Sequence, residues 1–300
     1  MRKRIKQTPG DIVFNLVTYT LFGLFTLICV FPFYYIFINT ISANDLSSQG
    51  LITFYPRQIH FNNYLEVFRI RGIIPATLVS LARTVIGTIT CVLCTSFVAY
   101  ILSKKILWKR TLWNRFFVIT LYFNVGLIPW FINMQRLGLT DTFWAYIIGF
   151  VNPYNMVLVR TYIEAIPPSL EESAEMDGAG IMTLFFRVVF PLCKPIVATV
   201  AVFTAVLQWN QFIDTLILMP TNTKLYTLQF LLWRFLGEAN ALIQQLQGSV
   251  GIAQSDPSKF LTTTSVKMTI SMVVVLPILF VYPMFQKYFV KGIMLGAVKG

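Results

Sequence analysis

Six apolar runs set the limits on how this chain folds: 13–38, 78–102, 116–134, 143–163, 196–219 and 268–289. A helix needs roughly 20 mainly apolar residues to cross a bilayer core of about 30 Å. Lipid offers the backbone no hydrogen-bond partner, so runs of this kind fold as helices. Composition points the same way. Of the 300 residues 56% are hydrophobic and 12% are charged, whereas soluble chains carry about 25% charged residues. An ordinary soluble enzyme is excluded, and the apolar bias excludes a disordered chain. The expectation is an all-α integral membrane protein with six transmembrane helices.

The net charge of +12 suggests at first a polyanionic partner, but its distribution argues otherwise. With the N-terminus taken as cytoplasmic, the segments 1–11, 103–115, 164–195 with flanking Arg160, and 287–300 hold fifteen of the 24 Lys and Arg residues. The longer outside segments 40–75, 135–142 and 220–267 hold eight. Basic residues concentrate on the cytoplasmic side of membrane proteins, so the surplus reads as an orientation signal with both termini inside, and not as nucleic-acid binding. The basic start Arg2, Lys3, Arg4 and Lys6 resembles a signal peptide. The run behind it is longer than the 7–15 residues of a signal h-region, so it reads as a retained anchor. The expected layout is a cytoplasmic N-terminus (1–12), a membrane-spanning body (13–289) with a long cytoplasmic loop (164–195) and a long external loop (220–267), and a cytoplasmic tail (290–300). The four cysteines lie in or beside apolar stretches. Cys91 and Cys94 have C-x-x-C spacing but no second pair or nearby histidine, so they read as small buried residues and not as zinc ligands. His60 reads as a solvated loop residue.

The cytoplasmic loop 164–195 gathers five of the twelve acidic residues, Glu164, Glu171, Glu172, Glu175 and Asp177, within fourteen positions. Pro167 and Pro168 predict an extended entry. Ser169 with Glu172 three residues later predicts a capping box, and the acids that follow suit a positive helix start. Asp177-Gly178 predicts the stop. Ile181, Leu184, Phe185 and Val188 then recur at helical spacing, predicting a second, amphipathic helix that ends at Pro191. Such a hairpin is either a stiff spacer between spans or a grip for a soluble partner.

This stretch resembles the EAA loop of ABC-importer permeases, in which Glu-Ala-Ala is followed by three residues, Gly, nine residues and Ile-x-Leu-Pro. The chain offers Glu172-Ser173-Ala174, Gly178, Val188, Phe190 and Pro191 at that spacing, with mild departures at Ser173, Val188 and Phe190. The neighbouring Glu171, Met176-Asp177-Gly178-Ala179 and Pro195 are similar to the carbohydrate, maltose-transporter branch. QKYFVKGIMLGAVKG (286–300), FNNYLEVF (61–68), GLIPWFINMQRLGLTDT (126–142) and LQWN (207–210) resemble its LplC/YtcP-type subfamily, which is associated with complex saccharides. The resemblance implies the type I ABC importer permease fold with a cytoplasmic coupling helix. It implies three protein partners: a cytoplasmic ATP-binding subunit, a second permease in a heterodimer, and an extracellular or periplasmic solute-binding protein. The coupling positions it implies are Glu171, Glu172, Ala174, Asp177, Gly178, Ala179 and Pro191, in a protein of a prokaryotic cytoplasmic membrane.

The chain has no G-x-x-x-x-G-K-[ST] and no Gly-Lys dipeptide, so no P-loop cradles a nucleotide. No Ser–His–Asp set or carboxylate pair stands out. The expectation is a transporter and not an enzyme, without a cofactor of its own, ATP and Mg²⁺ being used by the partner ATPase. Amides sit near the middle of the spans: Asn124, Asn152, Asn155, Gln208 and Asn210, with Trp209 between the last two. Amides and an aromatic face suit a hydroxyl-rich saccharide, although such amides also bond helices together. Arg83 and Asp214 are charges inside spans, each five residues from its outer end. They either snorkel to the interface or pair as an outer gate. The alternative to an ATP-driven permease is a stand-alone secondary transporter, which would carry titratable residues at the midplane; this chain has amides there.

Overall fold

The computed structural model describes residues 8–123, 125–149, 151–237 and 261–279. Every regular element among them is helical, as apolar runs in lipid require. The chain divides into two compact units, residues 1–70 with 238–273, and residues 71–237 with 274–300.

The first unit opens with α1 (Pro9–Thr40), 32 residues with Pro9 at the first helical position. Its start is a reciprocal capping box: the Thr8 hydroxyl accepts from the Asp11 N–H, and the Asp11 carboxylate accepts from the Thr8 N–H at 2.9 Å. At 1.5 Å per residue α1 is about 48 Å long, and its Leu, Phe and Ile side chains are exposed along most of it. Its C-terminal end is held by polar groups. Asn39, Thr40, Asn44 and Asn63 have no exposed surface, and each is hydrogen-bonded. Asn44 in α2 (Asn44–Ser48) and Asn63 in α3 (Asn62–Arg69) exchange amide bonds of 2.9 and 2.8 Å, and Asn63 also donates to the Thr40 carbonyl. A buried network this well satisfied fixes one conformation of the segment between α1 and α3.

The second unit is built on α4 (Ile73–Ser103), which packs against α7 (Pro153–Glu164) and α10 (Lys194–Asn210). Between α4 and α7 lie α5 (Arg110–Tyr122) and α6 (Leu127–Arg136), bent by 118° to each other. The cytoplasmic loop contributes α8 (Ser169–Met176) and α9 (Ile181–Leu192), and α9 meets α10 at 84°. Beyond α10 come α11 (Ile213–Leu218), a helix over 228–237 and the helix Thr263–Leu279, whose last residues belong to this unit.

The expected spans 13–38 and 78–102 fall inside α1 and α4, and both helices are long and apolar enough to cross a bilayer. Three of the others are interrupted. Residues 116–134 straddle the α5–α6 bend. Residues 143–163 comprise a 3₁₀ turn at Phe143–Tyr146 and the 12-residue α7. Residues 196–219 break between α10 and α11. By length and composition the described residues contain two unbroken spans, or up to four if each bent pair is one span. Apolar periodicity does not register such breaks, because the apolar run continues across them. They persist where freed backbone groups find other partners: the Asn152 N–H donates to the Thr95 hydroxyl, and the Gln211 carbonyl accepts from Arg83. Of the sixth expected span, 280–289 lies outside the described residues, as do 1–7, 238–260 and the tail.

Candidate functional site

The acidic hairpin forms, with two departures from its sequence pattern. Ser169 does not cap α8. Pro168 already has helical angles (φ −58°, ψ −31°), and its carbonyl accepts from the N–H groups of Glu171 and Glu172 at 3.0 Å. Proline's fixed φ starts the helix one residue early, so Ser169 is its first residue and no side chain caps it. Pro168 is therefore helical where an extended entry was expected. The stop is as expected. Gly178 adopts φ +79°, its N–H bonds to the Glu175 carbonyl at 2.9 Å, and the Ala179 N–H bonds to the Ala174 carbonyl at 3.0 Å. That bond pair is the Schellman motif, which favours glycine at the left-handed position.

α9 departs in register. Leu184–Val189 form a π-helical turn, and the buried residues are Leu184, Phe185 and Val189, while Ile181 is exposed. A π turn carries i→i+5 bonds, so Leu184 and Val189 share a face and the stripe drawn from 3.6-residue spacing slips. Phe185, 1% exposed, sits with its ring 5.1 Å from that of Phe97 and 5.4 Å from that of Tyr100 on α4. Ala174 and Ala179 pack against the same core, which includes Val159, Ile163 and Cys193. Burial pushes the Cys193 thiol up to about 12, so it stays protonated. Cys91 is also buried, Cys94 is half-buried, and Cys29 is exposed on α1.

The hairpin acids separate into two sets. Glu171 forms an ion pair with Lys104 at the end of α4, where the ammonium also lies 4.5 Å from the Tyr100 ring centre. Burial pushes the Lys104 ammonium below the usual lysine range, partly offset by the nearby charge of Glu175. Glu172, Glu175, Asp177 and Gly178 face outward with Met176, which is 88% exposed. Pro191 lies half-buried in α9, one residue before its end.

The second arrangement surrounds the α10–α11 break. Arg83 is 2% exposed and Asp214 is 7% exposed, and they form an ion pair. Arg83 also donates from Nε to Gln208 Oε1 at 2.9 Å and from Nη1 to the Gln211 carbonyl at 3.2 Å, with Tyr146 stacked 4.6 Å from its guanidinium. The Thr215 N–H donates to Asp214 Oδ1 at 2.8 Å, and the Tyr146 hydroxyl donates to the Leu225 carbonyl at 2.7 Å and is hydrogen-bonded to the Thr215 hydroxyl at 3.1 Å. Neither charge snorkels. Together they tie α4, the Phe143–Tyr146 turn and the broken helix.

The amides take different places. Asn152 caps α7 by accepting from the Asn155 N–H at 3.0 Å. Asn155, 2% exposed, donates to the Thr204 hydroxyl at 3.3 Å. Gln208 serves Arg83 and lies so close to Gly87 that a Cβ there would meet its Nε2 at 2.5 Å. Trp209 is buried, its indole N–H donating to the Val274 carbonyl at 3.1 Å. Asn210 ends α10 and is exposed. Asn124 lies outside the described residues. Sequence reasoning placed Phe185 on the amphipathic stripe but not its partners on α4, and it missed the roles of Lys104 and Tyr146, because these depend on residues distant in the chain.

No family model matches the chain. It is 32% identical over 289 residues to the polygalacturonan/rhamnogalacturonan transport system permease protein YtcP of Bacillus subtilis, covering 96% of this chain and 99% of that protein. It is 30% identical over 295 residues to protein LplC of the same organism, covering 98% and 97% of the two chains. Among solved structures it resembles a chain of a bacterial ABC transporter involved in the import of the acidic polysaccharide alginate. That match has a TM-score of 0.82 and 29% identity, and covers 95% of this chain and 99% of that one.

Proposed function

The chain belongs to the carbohydrate ABC-transporter permeases, and from that premise we propose that it is a six-span, saccharide-conducting subunit of a binding-protein-dependent importer whose acidic hairpin couples ATPase closure to the spans. Oligo- or polysaccharide fragments are its cargo, in keeping with relatives named for polygalacturonan, rhamnogalacturonan and alginate. Its partners are a cytoplasmic ATP-binding subunit, a second and different permease, and an external solute-binding protein. ATP and Mg²⁺ act in the ATP-binding subunit. The protein resides in a cytoplasmic membrane with both termini inside.

The observation that carries the coupling reading is the division of the hairpin. Glu172, Asp177 and Met176 are turned out for a partner, while Phe185 and the Glu171–Lys104 pair fasten the opposite side to α4. A push on the tip is thereby transmitted to a helix long enough to cross the membrane. Arg83 and Asp214 act as an outer brace whose rearrangement gates the external end. Asn210 presents its amide to the saccharide at the helix break, and Trp209, Gln208, Asn152, Asn155 and Asn124 shape that path around it. The test is co-purification of the ATP-binding subunit with the intact chain, Glu172→Lys and Gly178→Asp. Retention by the intact chain and loss from both variants is expected. If the intact chain binds no ATP-binding subunit, the reading fails.

A further inference from the structure

At the start of α5 the side chains Arg110, Thr111, Asn114 and Arg115 line a groove of about 400 Å³, closed on the other side by Arg160 of α7 and continued by Val118 and Ile119. These α5 positions recur at helical spacing, so they form one stripe, polar in its first turns and apolar below, about 13 Å long at 1.5 Å per residue. The groove carries a positive excess. Glu164 Oε1 accepts from Arg110 at 2.5 Å and from Arg160 Nε at 3.0 Å, so one carboxylate offsets two guanidinium groups. Arg115 has no ion-pair partner among the described residues. Asn114 Oδ1 is buried without a hydrogen-bond partner. Trp113 in the first turns of α5 and Trp108 just before that helix are 43% and 71% exposed, as aromatic residues are at a bilayer interface.

We propose that this groove binds one anionic phospholipid of the cytoplasmic leaflet, with phosphatidylglycerol as the fitting chemistry. The lipid phosphate meets Arg115 and the outer faces of Arg110 and Arg160. A glycerol hydroxyl donates to the orphaned Asn114 oxygen, and an acyl chain runs along Val118 and Ile119. A soluble phosphate would use the upper half of the groove and leave the apolar half exposed to no purpose. Basic pockets between spans on the cytoplasmic side recognise anionic headgroups on the same electrostatic grounds. The leaflet rests on the cytoplasmic placement of 103–115 proposed above.

The test uses the purified full chain in mild detergent, with bound lipid counted by native mass spectrometry after exposure to equal amounts of phosphatidylglycerol and phosphatidylcholine. Retention of phosphatidylglycerol over phosphatidylcholine is expected. Arg115→Ser should weaken it about fivefold, as one surface cation near an anionic lipid contributes, and Arg115→Lys should keep most of it. Equal retention of the two lipids, or no effect of Arg115→Ser, would overturn the site. So would displacement by glycerol 3-phosphate at equal concentration, which identifies a soluble anion, or loss of the lipid when a partner permease assembles, which identifies a protein interface. Orientation is tested apart, by labelling Lys105→Cys in intact cells with a membrane-impermeant maleimide. External labelling would overturn the leaflet, whereas loss of lipid preference without it overturns the site and leaves the orientation standing.

Discussion

Arg83 shows how much of a residue's role is set by its neighbours. Alone in an apolar helix, a guanidinium costs several kcal/mol in a bilayer. Here it meets a carboxylate, an amide, a carbonyl and an aromatic ring. Removing one partner leaves the other charge buried and unpaired, which costs about 3–5 kcal/mol. Arg83→Met and Asp214→Leu should each lower the melting temperature in detergent sharply, and the double variant should recover part of the loss. A double variant at least as unstable as the sum of the two singles would refute the pairing. Charge reversal at both positions should rescue transport only in part, because an acid at position 83 cannot donate to Gln208 or Gln211. Gly87 belongs to the same network. Gly87→Ala should cost about 1–3 kcal/mol by overpacking against Gln208, and adding Gln208→Ala should relieve it, as read from the same melts. Trp209 carries a different lesson: its indole N–H is committed to Val274, so an aromatic placed among amides by the sequence need not face the cargo.

At the scale of elements, the second helix of the hairpin is pinned to α4 through Phe185, and the proposed lever turns on that joint. Truncating a buried phenylalanine costs about 3–5 kcal/mol, and in Phe185→Ala that loss falls on the joint between hairpin and α4. The expected outcome is an importer that still binds the ATP-binding subunit and hydrolyses ATP but takes up little saccharide. Uptake in proportion to ATP turnover would contradict the lever. A second joint, between Asp141 and the segment at Thr221 and Asn222, hangs on a titratable group. The Thr221 hydroxyl and the N–H groups of Asn222 and Thr221 all donate to Asp141, holding its carboxyl below the usual carboxylate range. A carboxyl depressed in the folded state stabilises above its unfolded value, near 4, and that contribution fades as the pH falls through the folded value. Melting temperatures of the wild-type chain should therefore decline more steeply below pH 4 than those of Asp141→Asn; parallel curves would exclude the effect.

Across the whole molecule, some features were legible in the sequence because they are local. Run length gave the membrane class and the two unbroken spans, and Asp177-Gly178 gave the hairpin stop, since a left-handed position after a short helix favours glycine. The capping box at Ser169 was a false signal because Pro168 started the helix first, and a real box at Thr8 went unread. The breaks within three expected spans were hidden because apolar content is blind to a local change of backbone direction. Arg83 and Asp214 were visible as anomalies, yet their union spans 131 positions of chain, and no periodicity encodes a partner at that distance. The sequence by itself determined that this chain enters a bilayer and where its acidic hairpin turns, because lipid and backbone sterics act on neighbouring residues. Only the tertiary structure decided which acids face outward, which amides are spent on holding helices and where the charges inside the spans find each other, because those outcomes depend on side chains brought together from distant parts of the chain.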